Sequence, residues 1–315
     1  MSILKIHGER TTPDFIEEDF ISAIETSLNR SIYFRNKSVE IRRISQADEN
    51  ELGYDGILNT IVPFYIQFKR SDFYSPHFSG KLATDRKNVS LPVDKGFFAF
   101  ELLRKNNRYE QHNAMCKLSQ ENKAAYVAPM FYKSGDLSKL KSEAEKFIPI
   151  YYDDILFYDP FYSGLVTLRN LSLFRKSITI PPHDLVNDTN PSHHYSYSRD
   201  KKIGFHSEPT NLEDSNAQTL YYFIQEVFNQ QGRESKSIID SNYRLLPELF
   251  GFESNSSDFS GILEASVRRV SVVDSETKIN SIIEQFDTID KLIILEDILY
   301  HYFNIRQFIK YENMA

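Results

Sequence analysis

The run Ile61-Val62-Pro63-Phe64-Tyr65-Ile66-Gln67-Phe68, closed by Lys69, is nearly all apolar and has the length of one strand. Side chains alternate faces along a strand, so Phe64, Ile66 and Phe68 turn one way and Tyr65, Gln67 and Lys69 the other. Pro63 lacks a ladder donor and indicates an edge or a strand beginning. Just upstream, Gly53-Tyr54-Asp55-Gly56-Ile57-Leu58 places a carboxylate at the start of a second hydrophobic strand, with Asn59-Thr60 as the hairpin turn. If the two strands pair, Asp55, Gln67 and Lys69 converge. A carboxylate, an amide oxygen and an ammonium together suit a hard divalent cation and a phosphate.

The 315 residues allow one large domain or two medium ones. No apolar run reaches membrane-spanning length, and the first ten residues hold no signal-peptide core. The single Cys116 excludes an internal disulfide framework and a cysteine zinc site, so a reducing cytoplasm is the expected compartment. A net charge of −7 argues against a nonspecific nucleic-acid coat. The charge is uneven, however: basic residues concentrate between 69 and 123, and 211–315 is acidic. The basic stretch reads as a phosphate-tracking patch or as a solvated face.

Asp14 is placed to cap a helix over 15–28. There Glu17, Ile21, Ile24 and Leu28 share helical phase, which sets a carboxylate on or beside the buried stripe. Further strands are expected at 39–44, 125–132 and 147–152, an apolar segment at 96–103 and a helix at 109–120. Ser71 to Leu91 reads as an irregular loop or lid. Ser192–Ser198 and Lys202–Ser207 form a hairpin turning at Arg199-Asp200-Lys201. Helical patterns follow at 217–229, 261–269 and 277–304. The order indicates an α/β core over 1–210 and a helical C-terminal subdomain over 211–315.

Phosphodiester hydrolysis needs a metal to polarise the phosphate and a cation to offset charge growing in the transition state. Asp55 suits a bridging ligand, Gln67 or the Phe68 carbonyl a second hard donor, and Lys69 the positioning of water. The arrangement of an acid on a first helix, Asp55 opening a strand and Gln67-Phe68-Lys69 on the next resembles the PD-(D/E)XK, restriction-endonuclease-like nucleases. It is closest in pattern to the variant with Gln at the second acid position, found in prokaryotic defence-associated nucleases. Gln111-His112, Tyr126–Phe131 and the hairpin with His193 and His206 also resemble that core, so the likeness spans about residues 11 to 210.

The resemblance implies a mixed sheet flanked by helices and a Mg2+- or Mn2+-dependent endonuclease, acting on DNA in bacterial anti-phage defence. By the same resemblance, Glu17, with Glu18 and Glu25 as competitors, Asp55 and Gln67 hold the metal, and Lys69 activates water. Arg70, Lys81, Arg86, Lys87, Arg104 and Lys105 are the candidate contacts to the nucleic-acid backbone, and Gln111 is a candidate neighbour of the site. The acidic C-terminal part is the expected surface for a second copy or a partner defence protein. A nuclease-like scaffold that has lost catalysis and serves as a sensor or subunit is the alternative, because Gln67 gives the metal one charge fewer than a second acid would.

Other constellations carry less. His183, His193, His194 and His206 match no zinc spacing. Cys116 with His112 reads as a buried structural pair on a helix. There is no Walker loop, dinucleotide fingerprint or Gly-x-Ser-x-Gly elbow. The Phe and Tyr residues must supply most of the core in a chain without Trp.

Overall fold

The computed structural model describes residues 8–33, 38–43, 60–103, 109–145, 167–168, 171–187, 190, 192–206, 209–212, 217–252, 257–270, 286 and 288–313. The first half runs β1 (Arg10–Thr11), α1 (Glu17–Ser31), β2 (Ile32–Tyr33), β3 (Ser38–Arg42), β4 (Thr60–Phe68), β5 (Asp72–Tyr74), α2 (Lys81–Asn88), β6 (Phe97–Glu101), α3 (Glu110–Glu121), β7 (Lys123–Pro129) and α4 (Ser134–Glu145). Next come β8 (Thr167–Leu168), α5 (Ser172–Arg175), β9 (Ser177–Ile180), β10 (His194–Tyr197), β11 (Ile203–His206) and β12 (Thr210–Asn211). The chain continues with β13 (Gln218–Thr219), α6 (Leu220–Asn229), β14 (Arg233–Glu234), α7 (Ser235–Leu249), α8 (Ser257–Val270), α9 (Thr288–Phe303) and β15 (Arg306–Asn313).

The result is a mixed α/β fold with two large sheets. One is seven-stranded, ordered β13-β9-β7-β4-β15-β3 with β14 joining β4; the other is six-stranded, ordered β1-β5-β6-β10-β11-β12. Residues 61–68 are all buried, so β4 is covered on both faces. Its alternation sorts them: Phe64, Ile66 and Phe68 pack with Phe20, Ile24, Phe223 and Phe308, while Tyr65 packs with Phe100, Tyr126 and Tyr195 of the other core layer. That second layer joins the two sheets. Phe100, Tyr126 and Tyr195 meet there at ring separations of 5.4–5.5 Å, taking the place a Trp would fill.

β4 is interior, which corrects the edge reading from Pro63. β14 pairs with β4 at Thr60 and Ile61, and β7 pairs from Phe64 to Phe68. Pro63 falls in the gap between those two partners, where a missing N–H costs no ladder bond. Thr60 is the first residue of β4 rather than part of a turn, and the expected partner strand at Ile57-Leu58 lies outside the described residues. So does the strand expected at 147–152.

Three other expectations change. The stretch from Ser71 to Leu91 holds β5 and helix α2 rather than an irregular lid. Asp14 does not cap its own helix; its Oδ1 accepts the N–H of Ser134, at the start of α4. The C-terminal third supplies the helices α6 to α9, but also β15, which inserts between β4 and β3 with Arg306 opposite Ile66 and Ile309 opposite Pro63. The expected hairpin forms over His194–Tyr197 and Ile203–His206, with His194 opposite His206 and Tyr197 opposite Ile203, and Ser207 lies outside the described residues.

Candidate active-site cleft

β4 and β7 run parallel, so their C-terminal ends lie at the same edge of the sheet, where α/β folds leave a crevice. A cleft of ≈ 740 Å³ opens there. Glu17 from the start of α1, Lys69 and Arg70 after β4, Gln111 on α3 and Asn304 after α9 line it, together with Arg10, Asp72, Glu101 and His194 from the six-stranded sheet.

The N–H of Lys69 donates to the Val127 carbonyl at 2.9 Å, extending the β4–β7 ladder by one residue and fixing where the side chain leaves the sheet. Its Nζ lies 5.9 Å from the Tyr126 ring centroid. Burial pushes the Lys69 ammonium down to about 8, against the opposing pull of the Glu17 carboxylate. Burial likewise raises Glu17 above the usual carboxylate range, and Lys69, the Asn304 amide and the backbone N–H of Arg70 work against it. Each group favours the other's charge, but loss of water outweighs that attraction.

Of the four acids on α1, Glu17, Glu18, Asp19 and Glu25, Glu17 alone lines the cleft. Glu18 is exposed, and Glu25 pairs with Arg43 at 3.2 Å. The Nδ2 of Asn304 donates to Glu17 Oε1 at 3.3 Å. Asn304 escaped sequence reading, although an Asn directly after a long helical pattern is a helix-stop signal.

Gln67 is buried and serves two neighbours. Its Nε2 donates to Gln111 Oε1 at 3.0 Å and to the main-chain oxygen of Phe303 at 3.0 Å, while its Oε1 is buried with no hydrogen-bond partner. Phe303 ends α9, so its carbonyl is one of those a helix leaves open. An amide donor fits under that electronegative end; a carboxylate would face two oxygens and the negative end of the helix dipole. This gives a local reason for Gln rather than an acid at this position.

Asp55, Arg104 and Lys105 lie outside the described residues. Arg70 is exposed at the cleft, with its Nη1 3.3 Å from the Phe15 carbonyl. Lys87 is exposed, and Lys81 is exposed while paired with Asp85 at 2.7 Å. Arg86 corrects the expectation of a phosphate contact. It is fully buried, donates to Ser196 Oγ at 2.6 Å and to the carbonyls of Pro92 and Lys202, and stacks 5.0 Å from the Phe97 ring. Arg10, not anticipated, contributes a guanidinium held by Asp72 at 2.5 Å.

The histidines divide. His194 lines the cleft, whereas His206 is buried, with its Nε2 2.6 Å from Ser196 Oγ and its Nδ1 4.0 Å from Asp85. That Ser-His-Asp arrangement offers almost no surface to a substrate, and burial holds His206 down at about 4. Cys116 Sγ sits 3.4 Å from His112 Nε2, and burial pushes its thiol up to about 12, so it is a packed residue rather than a nucleophile.

Among the described residues no group of three or more His, Cys, Asp or Glu side chains could hold a metal, and no helix is long and apolar enough to cross a membrane. Hard oxygen donors that could serve a divalent cation include the carboxylates of Glu17, Asp72 and Glu101, which line the cleft, and the buried, unpartnered Oε1 of Gln67. Comparison of the chain with protein-family models, with curated proteins and with solved structures returned no match.

Proposed function

We propose that this protein is a metal-dependent endonuclease with a restriction-endonuclease-like core, acting on DNA. The observation that carries the reading is that Glu17 and Lys69 line one cleft at the C-terminal edge of two parallel strands, with the buried Gln67 bonded to Gln111 of the same cleft. Magnesium or manganese would be held by Glu17, Gln67 Oε1 and Asp55, and when bound would supply polarisation of the phosphate. Lys69 Nζ, down at about 8, exchanges a proton near neutral pH and so can take one from an attacking water. Its charged form offsets charge on the pentacoordinate phosphorus. Arg70 and Arg10 line the same cleft and would be the cations that meet phosphates beside the scissile bond. The setting in bacterial anti-phage defence, the cytoplasm as compartment, and a second copy or defence protein bound by the acidic C-terminal part are carried by the resemblance and by charge.

A second reading is favoured by one observation. The Gln67 amide is committed to the Phe303 carbonyl, which is what a nuclease-like scaffold kept for binding alone would retain. Incubating the protein with plasmid, linear DNA and RNA, with magnesium or manganese, separates the two. Metal-dependent cleavage lost in Asp55→Ala and Lys69→Ala supports the nuclease. Binding without cleavage of any substrate supports the scaffold.

A further inference from the structure

Two side chains of the cleft are tied to one short joint, the turn from α9 into β15. Asn304 has φ 51°, the left-handed region, and its N–H bonds the Tyr300 carbonyl at 2.9 Å, which stops the helix. Its amide then reaches Glu17 Oε1 at 3.3 Å, and the carbonyl just before it receives Gln67. Glu17 is a long side chain with several rotamers open to it. The Asn304 amide gives it a donor from the other end of the chain.

We propose that Asn304 is a positioning residue, whose amide holds the Glu17 carboxylate in the orientation that faces Lys69, so that the α9–β15 joint completes the cleft. The proposal rests on the reading of this cleft as the reaction site, and it adds a residue from the C-terminal third that the nuclease-like motif does not contain.

Asn304→Gly removes the amide and keeps the backbone, because glycine adopts positive φ readily. Asn304→Asp keeps the shape, tolerates the left-handed region and replaces the donor by an acceptor. NMR of the full-length protein with 13C-labelled Glu reads the Glu17 rotamers with no metal or substrate present. One dominant rotamer in the wild type and averaging over several in both variants is expected, with the unfolding temperature of Asn304→Gly at or above that of the wild type. An unchanged Glu17 rotamer distribution in Asn304→Gly overturns the proposal. In cleavage assays kcat falls roughly tenfold at unchanged KM; a raised KM at unchanged kcat overturns it too, by assigning Asn304 to binding. A wild type that cuts nothing counts against the nuclease reading alone, since the rotamer measurement does not depend on it.

Discussion

The amide of Gln67 donates to the main-chain oxygen of Phe303 at 3.0 Å, so one side chain of the candidate site also closes the end of helix α9. On the proposed reading, catalytic and structural demands therefore meet on the same atom group. Placing an acid at this position would add charge but remove both bonds made by Nε2. Gln67→Glu is expected to lose about 2 kcal/mol of stability in urea unfolding, and equal stability of the variant would show that the Phe303 contact matters little.

Lys69 should cost the fold stability at neutral pH. Its folded value of about 8 lies below its ordinary 10.5. Above that ordinary value both folded and unfolded chains carry a neutral amine and no penalty exists. As pH falls, the unfolded chain takes up the proton first, and the full penalty is present below about 8. Lys69→Met is expected to gain roughly 2 kcal/mol at pH 7, after allowance for partial screening. The gain should shrink as pH rises toward 10, and a gain independent of pH would assign the effect to packing instead.

Arg43 joins α1 to α9 through two carboxylates, Glu25 at 3.2 Å and Glu296 at 2.9 Å. Glu296 is buried, and burial raises it to about 7 against the pull of Arg43. Arg43→Ala leaves that carboxylate with the Gln307 N–H at 2.5 Å and the more distant Arg306 at 3.9 Å, and is expected to cost about 2 kcal/mol at pH 8. Below pH 7 Glu296 takes a proton and needs the guanidinium less, so the cost should fall. Denaturation at pH 8 and pH 5.5 reads both values.

Two arginines from the same basic stretch should behave differently. Arg70→Ala leaves stability nearly unchanged and lowers the salt slope of DNA binding by about one. Arg86→Ala removes the bonds to Ser196, Pro92 and Lys202 and empties a fully buried site beside Phe97, and is expected to cost about 3 kcal/mol or more, with loss of binding only through unfolding. A normal melting temperature for Arg86→Ala would contradict its place in the core.

Much of the candidate site follows from local periodicity. Alternation along β4 sorted Gln67 and Lys69 from Phe64, Ile66 and Phe68, and helical phase singled out Glu17 from its neighbours. The missed parts depend on contacts distant in sequence. Helix α2 contributes Ala83 as its sole buried apolar side chain, which leaves periodicity little to register. Arg86 looked like surface charge because its partners come from residues 92, 196 and 202. β15 includes the charged Lys310, which is buried with its ammonium donating to the carbonyls of Phe228 and Gln230 at 2.9 and 3.0 Å.

The most direct measurement is the single-turnover rate of DNA cleavage in magnesium for the wild type and for Lys69→Met, a substitution that fills the same space without the amine. Metal-dependent cleavage by the wild type and a loss of roughly 10²-fold or more in the variant is expected, with the variant folded and stable. Equal rates for the two proteins would contradict the assignment of Lys69, and with it the placement of the reaction in this cleft.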